Sequence, residues 1–214
     1  MFIDSPTGTI QIGPHWERLP PDLTARFEGV PAANVADCFD RLLVMDGGMR
    51  PVTHQARLVG SALPVLTRAG DNLAIHLALD DARPGDVLVV AGQGDLSRAL
   101  IGDLIGEIMR ERGVVGAVID GAVRDAAALD NQGLAVHARS VTPAGPFKFG
   151  PGVIGATIAC GGVVVSAGDL IVADDDGVSV VPAGRAAWAA DRVVEVIENE
   201  QKLRDRIVAA HGIS

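Results

Sequence analysis

The feature that most constrains this chain is a run of alternating apolar and helical stretches between Arg57 and Ala138. RLVGSALPVLT reads as a strand, DNLAIHLALDDA as a helix, GDVLVVAG as a short buried strand, and SRALIGDLIGEIMRERG as a helix. VGAVIDG is again a strand, VRDAAALDNQG a helix ended by Gly133, and LAVHA a last short strand. Apolar runs without polar alternation are buried on both faces, and a strand–helix–strand unit returns its second strand parallel to the first. The text therefore predicts an α/β fold, a mixed sheet with flanking helices.

The flanks read differently. Residues 20–45 are expected to be a helical segment, opening on Pro20-Pro21 and carrying apolar positions at helical spacing in PAANVADCFDRLLVM. After Gly145 the text becomes glycine-punctuated β-structure, with turns expected at Gly161-Gly162 and Asp176-Gly177. The closing helix, 184–211, has an apolar stripe on its first half and a highly charged second half. That pattern suits either a helix reaching over a neighbouring subunit or one that is simply solvated. At roughly 150 residues per domain, 214 residues fit a single domain over 1–214.

Composition narrows the function. The formal charge is −9 with no basic patch along the chain, which argues against a partner held through its phosphate backbone. No apolar run reaches the ~18 residues of a membrane span, and the opening MFIDSPTGTIQIGPHW has neither a basic nor an apolar leader segment. Cys38 and Cys160 form no CxxC, so a reducing, cytoplasmic setting is expected. Lysines are only two, Lys148 and Lys202, the first in the loop PAGPFKFGPG and the second in a polar helix, which argues against Schiff-base chemistry.

The stretch from Gly92 to Asp125 carries the chemistry. In the helix over 102–112, Ile101, Leu104, Ile105, Ile108 and Met109 share one face and leave Asp103 in the first turn off that face. A first-turn carboxylate is ordinarily a dipole-compensating group worth ~0.3–1 kcal/mol. The helix start after Gly102 also offers the backbone amides of Leu104 and Ile105 to an anion. The strand VGAVIDG then delivers Arg124 and Asp125 side by side. Such neighbours can be an ordinary surface pair, worth ~0–1 kcal/mol. Equally, an arginine fork can clamp a carboxylate, and an aspartate can hold a divalent cation that takes its other ligands from water and substrate.

Asp103, twenty intervening residues, then Arg124-Asp125 resembles the signature of the class II pyruvate aldolases that cleave 4-hydroxy-4-methyl-2-oxoglutarate and 4-carboxy-4-hydroxy-2-oxoadipate. Those enzymes also decarboxylate oxaloacetate and share their fold with the regulator of ribonuclease E activity, the RraA-like family. RLVGSALPV, PGDVLVVAG, RGVVGAVIDGAVRD and PGVIGATIACGGVVVSAGDLIVADDDGVSVVP carry the same likeness, over residues 30 to 210. The resemblance implies a swivelling β/β/α domain, assembled as a homotrimer or hexamer with sites at subunit interfaces. It implies Mg²⁺ or Mn²⁺ held directly by Asp125 and, through ordered water, by Asp103. Arg124 would contact the pyruvyl keto oxygen and carboxylate, with Gly102, Leu104 and Ile105 around the substrate. A neighbouring chain would add an acidic residue, for which Glu200 is the candidate, with Glu195 and Glu198 in competition. The other reading is a non-catalytic, protein-binding regulator of a ribonuclease.

The remaining polar residues have plainer expectations. His54, His76 and His137 lack metal-ligand spacing, and His76 is expected on a helix flank. Asp174, Asp175 and Asp176 read as a turn, Cys160 as a small buried hydrophobe, and Phe39 and Trp188 as core or interface anchors.

Overall fold

The computed structural model describes residues 8–211. Part of the opening segment considered above, residues 1–7, lies outside them. In chain order the described residues form β1 (Ile10–Ile12), α1 (Pro21–Ala25), α2 (Ala32–Cys38), β2 (Arg50–Pro51), β3 (Leu58–Thr67), α3 (Leu73–Ala78), β4 (Asp86–Ala99) and α4 (Asp103–Glu111). There follow β5 (Gly116–Val123), α5 (Ala126–Asn131), β6 (Ala135–Val141), β7 (Gly152–Ile154), β8 (Ile158–Cys160), β9 (Val163–Val165), β10 (Leu170–Asp174), β11 (Gly177–Val181) and α6 (Ala186–His211).

The main sheet is mixed, in the order β1-β7-β3-β4-β5-β6-β2. Strands β3, β4, β5 and β6 are parallel neighbours, as the alternating text requires. The long strand β3 is shared: its first residues pair antiparallel with β10, which in turn pairs with β11, and its last three pair antiparallel with β7. A two-stranded ribbon, β8–β9, completes a second β layer. One face of the sheet buries Leu63, Leu88, Val90, Ile119 and Val136 against α3, α4 and α5. The opposite face buries Leu58, Val87, Val89 and Val118 against Ile158, Cys160, Val165, Ile171 and Val180 of the β layer. All eight residues of β5 are buried, which is why its sequence shows no polar alternation.

Two expectations need correction, and a third holds. The helical segment over 20–45 is two short helices, α1 and α2, followed by turns, because Gly29-Val30-Pro31 breaks it and Asp40 and Arg41 take positive φ. The strand GDVLVVAG does not stop at Gly92. It runs on to Ala99 through register shifts at Asp95, with Gln93 and Gly94 at φ 62 and 68, so Ser97–Ala99 is extended and the helix begins only at Asp103. The bulges let one strand stay paired while turning, and tertiary pairing there overrides helical propensity. Asp174–Gly177 is the β10–β11 hairpin turn, with the Asp176 amide donating to Asp174 Oδ1 at 3.0 Å, in keeping with its plainer reading.

Candidate functional site

Because β4 and β5 are parallel and adjacent, whatever follows each strand emerges at the same edge of the sheet, and ligands of open α/β sheets bind at that carboxyl edge. The twenty residues between Asp103 and Arg124 are what α4, its return and β5 consume. The two strand ends are stitched together by backbone: the Leu100 amide donates to the Ala122 carbonyl at 2.8 Å and the Arg124 amide to the Ile101 carbonyl at 3.0 Å. This brings Asp103 to Arg124 and Asp125. The Asp103 amide donates to Asp125 Oδ2 at 3.3 Å, and Arg124 Nε stands 3.1 Å from the same oxygen.

Asp125 has φ 54 and ψ 37, the left-handed region that a non-glycine residue rarely occupies. Its carboxylate makes no capping bond to α5 and is turned to the Arg124–Asp103 side instead. Gly102 is in extended backbone, and its requirement is space: a Cβ there would lie 2.6 Å from Asp125 Oδ2 and 2.8 Å from Arg124 Cγ. Gly145 plays a lesser part, a Cβ there meeting Arg124 Nη1 at 3.2 Å. Arg124 and Asp125 remain over a third exposed, so the pair is open to a ligand.

At the start of α4 one of the two expected amides already has a side-chain partner. That of Leu104 already donates to Asp103 Oδ1 at 2.8 Å, so it must exchange this bond to receive a substrate carboxylate. The Leu104 side chain is 64% exposed and Ile105 is buried, and both residues line the cleft at this end of α4. Glu200, expected to act from a neighbouring chain, does not join the cluster within its own chain: its carboxylate accepts from Asn34 Nδ2 of α2 at 2.9 Å and pairs with Arg204 one turn on. Those bonds, Asn34 first, hold its pKa below the usual carboxylate value.

Among the described residues no three or more His, Cys, Asp or Glu side chains converge as a metal cage. The donors at the cluster are hard carboxylate oxygens without histidine or thiolate. They fit a cation such as Mg²⁺ or Mn²⁺ that keeps water and substrate in most positions, and do not fit a structural zinc.

Sequence reasoning missed half of the cleft. Asn72, His76 and Lys148 line it together with Arg124, Asp103 and Leu104, in a space of about 70 Å³. His76 lies on α3, buried at 8% exposure, and Lys148 Nζ lies 3.2 Å from its Nε2 and donates to Asn72 Oδ1 at 3.0 Å. Burial, then the neighbouring ammonium, pushes the His76 pKa down to about 4, so the ring is neutral at pH 7. Burial, then Arg124, lowers that of Lys148. The one available signal was the i, i+4 spacing of Asn72 and His76, which puts both on one side of α3. His54, by contrast, is on the surface in a pair with Asp130, and His137 is buried with Nε2 at 2.9 Å from the Asp174 carbonyl.

Comparison with known proteins agrees with this architecture. Residues 32–180 match the model of the RraA-like family, described as aldolase/RraA. A protein of Halalkalibacterium halodurans, provisionally named a 4-hydroxy-4-methyl-2-oxoglutarate aldolase, is 38% identical over 164 residues, 77% of this chain and 78% of that one. Among solved structures, Streptomyces coelicolor RraAS2, described as an unusual member of the RNase ES inhibitor RraA protein family, superposes with a TM-score of 0.81 at 27% identity. The match covers 89% of this chain and 99% of that one. The RNA-processing inhibitor RraA from Thermus thermophilus gives 0.66 at 27% identity, over 72% and 93%.

Proposed function

This chain belongs to the RraA-like family, and from that premise we propose that it is a divalent-metal-dependent class II aldolase, releasing pyruvate from a 4-hydroxy-2-oxo acid of the 4-hydroxy-4-methyl-2-oxoglutarate or 4-carboxy-4-hydroxy-2-oxoadipate type. The same site would decarboxylate oxaloacetate. The observation that carries the reading is the meeting of Asp103 and Arg124-Asp125 at the ends of two parallel strands.

Cleaving the C3–C4 bond leaves its electron pair on the pyruvyl fragment as an enolate, with negative charge on the former keto oxygen. Arg124 supplies a fixed positive charge and a planar fork aimed at that oxygen and the adjacent carboxylate. A divalent ion held by Asp125, with Asp103 ordering water beside it, would add Lewis acidity toward the same oxygens. The C4 hydroxyl must lose its proton as the bond breaks, and Asp103 is placed to hold the water that receives it. The exposed amide end of α4 takes the carboxylate once Leu104 releases Asp103. We further propose that the active unit is a homotrimer or hexamer, that Glu200 of a neighbouring chain completes the ion's surroundings, and that the setting is cytoplasmic.

The test is a lactate-dehydrogenase-coupled assay of pyruvate release from oxaloacetate and the two branched diacids, with Mg²⁺ and then with EDTA. Metal-dependent release is expected. Near wild-type release by Arg124→Ala would sink the assignment. The structural likeness to RraA proteins favours a second reading, a ribonuclease-binding regulator. Capture of a ribonuclease together with no turnover on any of the three acids would establish it instead.

A further inference from the structure

Two costs to stability fall on one contact between α4 and α5, beside the residues of the site. The first is Gly106, a glycine in the interior of α4, where alanine would favour the helix. Its lack of a side chain is required: a Cβ there would lie 2.1 Å from Gln132 Oε1 and 2.6 Å from Leu129 Cδ2. The second is that same Oε1, which is buried with no hydrogen-bond partner among the described residues. An orphaned oxygen of this kind needs a reason. The other half of the amide supplies it, because Gln132 Nε2 donates to the Asp103 carbonyl at 3.2 Å. The reverse orientation would set two oxygens against each other, so the donor has to face Asp103.

The Asp103 carbonyl does not need this bond to be satisfied. It stands in the first turn of α4, where a helix already supplies the amide four residues on. What the extra donor fixes is the plane of the Asp103–Leu104 peptide. The N–H on the other side of that plane is the Leu104 amide, which holds Asp103 Oδ1 at 2.8 Å. A donor on the carbonyl also polarises the peptide and strengthens its N–H as a donor. On the preceding peptide, the Asp103 amide donates to Asp125 Oδ2 at 3.3 Å. Both ends of α5 therefore grip Asp103, since Asp125 is its N-cap and Gln132 its C-cap. The six helical residues between the caps make a stiff spacer of about 9 Å.

We infer that Gln132 is a positioning residue: through the Asp103 carbonyl it aims the Leu104 amide, a donor that the resting Asp103 carboxylate and an incoming substrate carboxylate share. The inference rests on the 2-oxo acid reading above and adds to it a group from outside the cleft, whose lining does not include Gln132. Its action is through the backbone alone. Without its donor the peptide plane is free to tilt, the Leu104 N–H spreads over a range of directions, and a substrate carboxylate meets a less preorganised amide.

Pyruvate, which has no C4 to be cleaved from, serves as the probe in calorimetry with the Mg²⁺-loaded protein. Gln132→Met keeps the length of the side chain and removes both the donor and the orphaned oxygen. It should weaken pyruvate binding roughly five- to tenfold, the worth of one hydrogen bond, while the urea midpoint stays level or rises. Gln132→Glu keeps the shape but sets a carboxylate oxygen where the donor stood, and should lose at least as much affinity at neutral pH. A lowered midpoint with unchanged pyruvate affinity in Gln132→Met would mark a merely structural glutamine and overturn the inference, as would wild-type affinity in Gln132→Glu. The Leu104 amide gives a readout that needs no ligand. In ¹H–¹⁵N spectra of the metal-free protein its proton should move upfield in both variants as the bond to Asp103 Oδ1 weakens, and an unmoved resonance overturns the inference. Absence of pyruvate binding by wild type sinks the aldolase reading instead, and the Leu104 resonance then decides the role of Gln132.

Discussion

At the residue scale the site depends on a side chain that is missing. Gly102→Ala needs no unusual backbone, yet its methyl would overlap Asp125 Oδ2 and Arg124 Cγ. We expect kcat to fall roughly a hundredfold, as for a misplacement of about 1 Å, with stability changed by under about 1 kcal/mol, read by kinetics and urea denaturation side by side. Asp125→Ala should abolish both activity and its response to Mg²⁺. Arg124→Lys should keep the charge but lose the fork, lowering kcat roughly 100-fold or more. His76 gives a pH signature. With its folded pKa near 4 and the unfolded value near 6.5, the unfolded chain takes up the proton first as pH falls. Stability should therefore decline from pH 6.5 toward 4, by up to about 3 kcal/mol for this residue, and be unaffected above 6.5. Denaturant midpoints of wild type and His76→Asn across that window should show a shallower slope for the variant. Of these residues Asp103, Arg124 and Asp125 were legible as a spaced motif. Asn72, His76 and Lys148 were not, because two elements separated by 72 or more residues in the chain supply them.

At the element scale the anchor is Asp71, whose carboxylate joins the turn before α3 to the loop after β6 through three backbone amides. Removing it leaves those amides buried without an acceptor. Asp71→Ala should cost about 3 kcal/mol or more, and hydrogen exchange at Phe149 and Gly150 should speed up before any global unfolding. Strand β4 shows the limit of local reading. Up to Ala91 its partners are set by an apolar run that any buried strand would show, but beyond it pairing to β5 continues through Asp95 and Ala99. A polar stretch such as GQGDLSRA carries no pattern that announces a bulged strand, since its strand partners, Gly121 for Asp95 and Ala122 for Ala99, lie on β5 beyond the whole of α4.

At the scale of the whole molecule, α6 raises the question of assembly. Its first turns bury Ala186, Ala189, Ala190 and Val193 against α2 and the β10–β11 hairpin, whereas residues 201–210 are all exposed, Leu203 and Val208 included. If Glu200 completes a neighbour's site, Glu200→Ala and Asp125→Ala should each be inactive alone, yet co-assembled after mixed refolding they should regain part of the activity, because some interfaces then pair two intact halves. Activity no greater than the sum of the separate variants would remove Glu200 from the site. What the sequence determined by itself was the class of fold and the chemical character of one corner. Apolar periodicity dictates which segments bury and in which direction they return, and a carboxylate, a guanidinium and a second carboxylate keep their chemistry wherever they sit. Only the tertiary structure decided that the β10–β11 hairpin shares β3 with the parallel sheet, and that a lone lysine in a proline- and glycine-rich loop faces a histidine and an arginine. Those contacts are long-range, and a chain reveals them only when burial has fixed every element between.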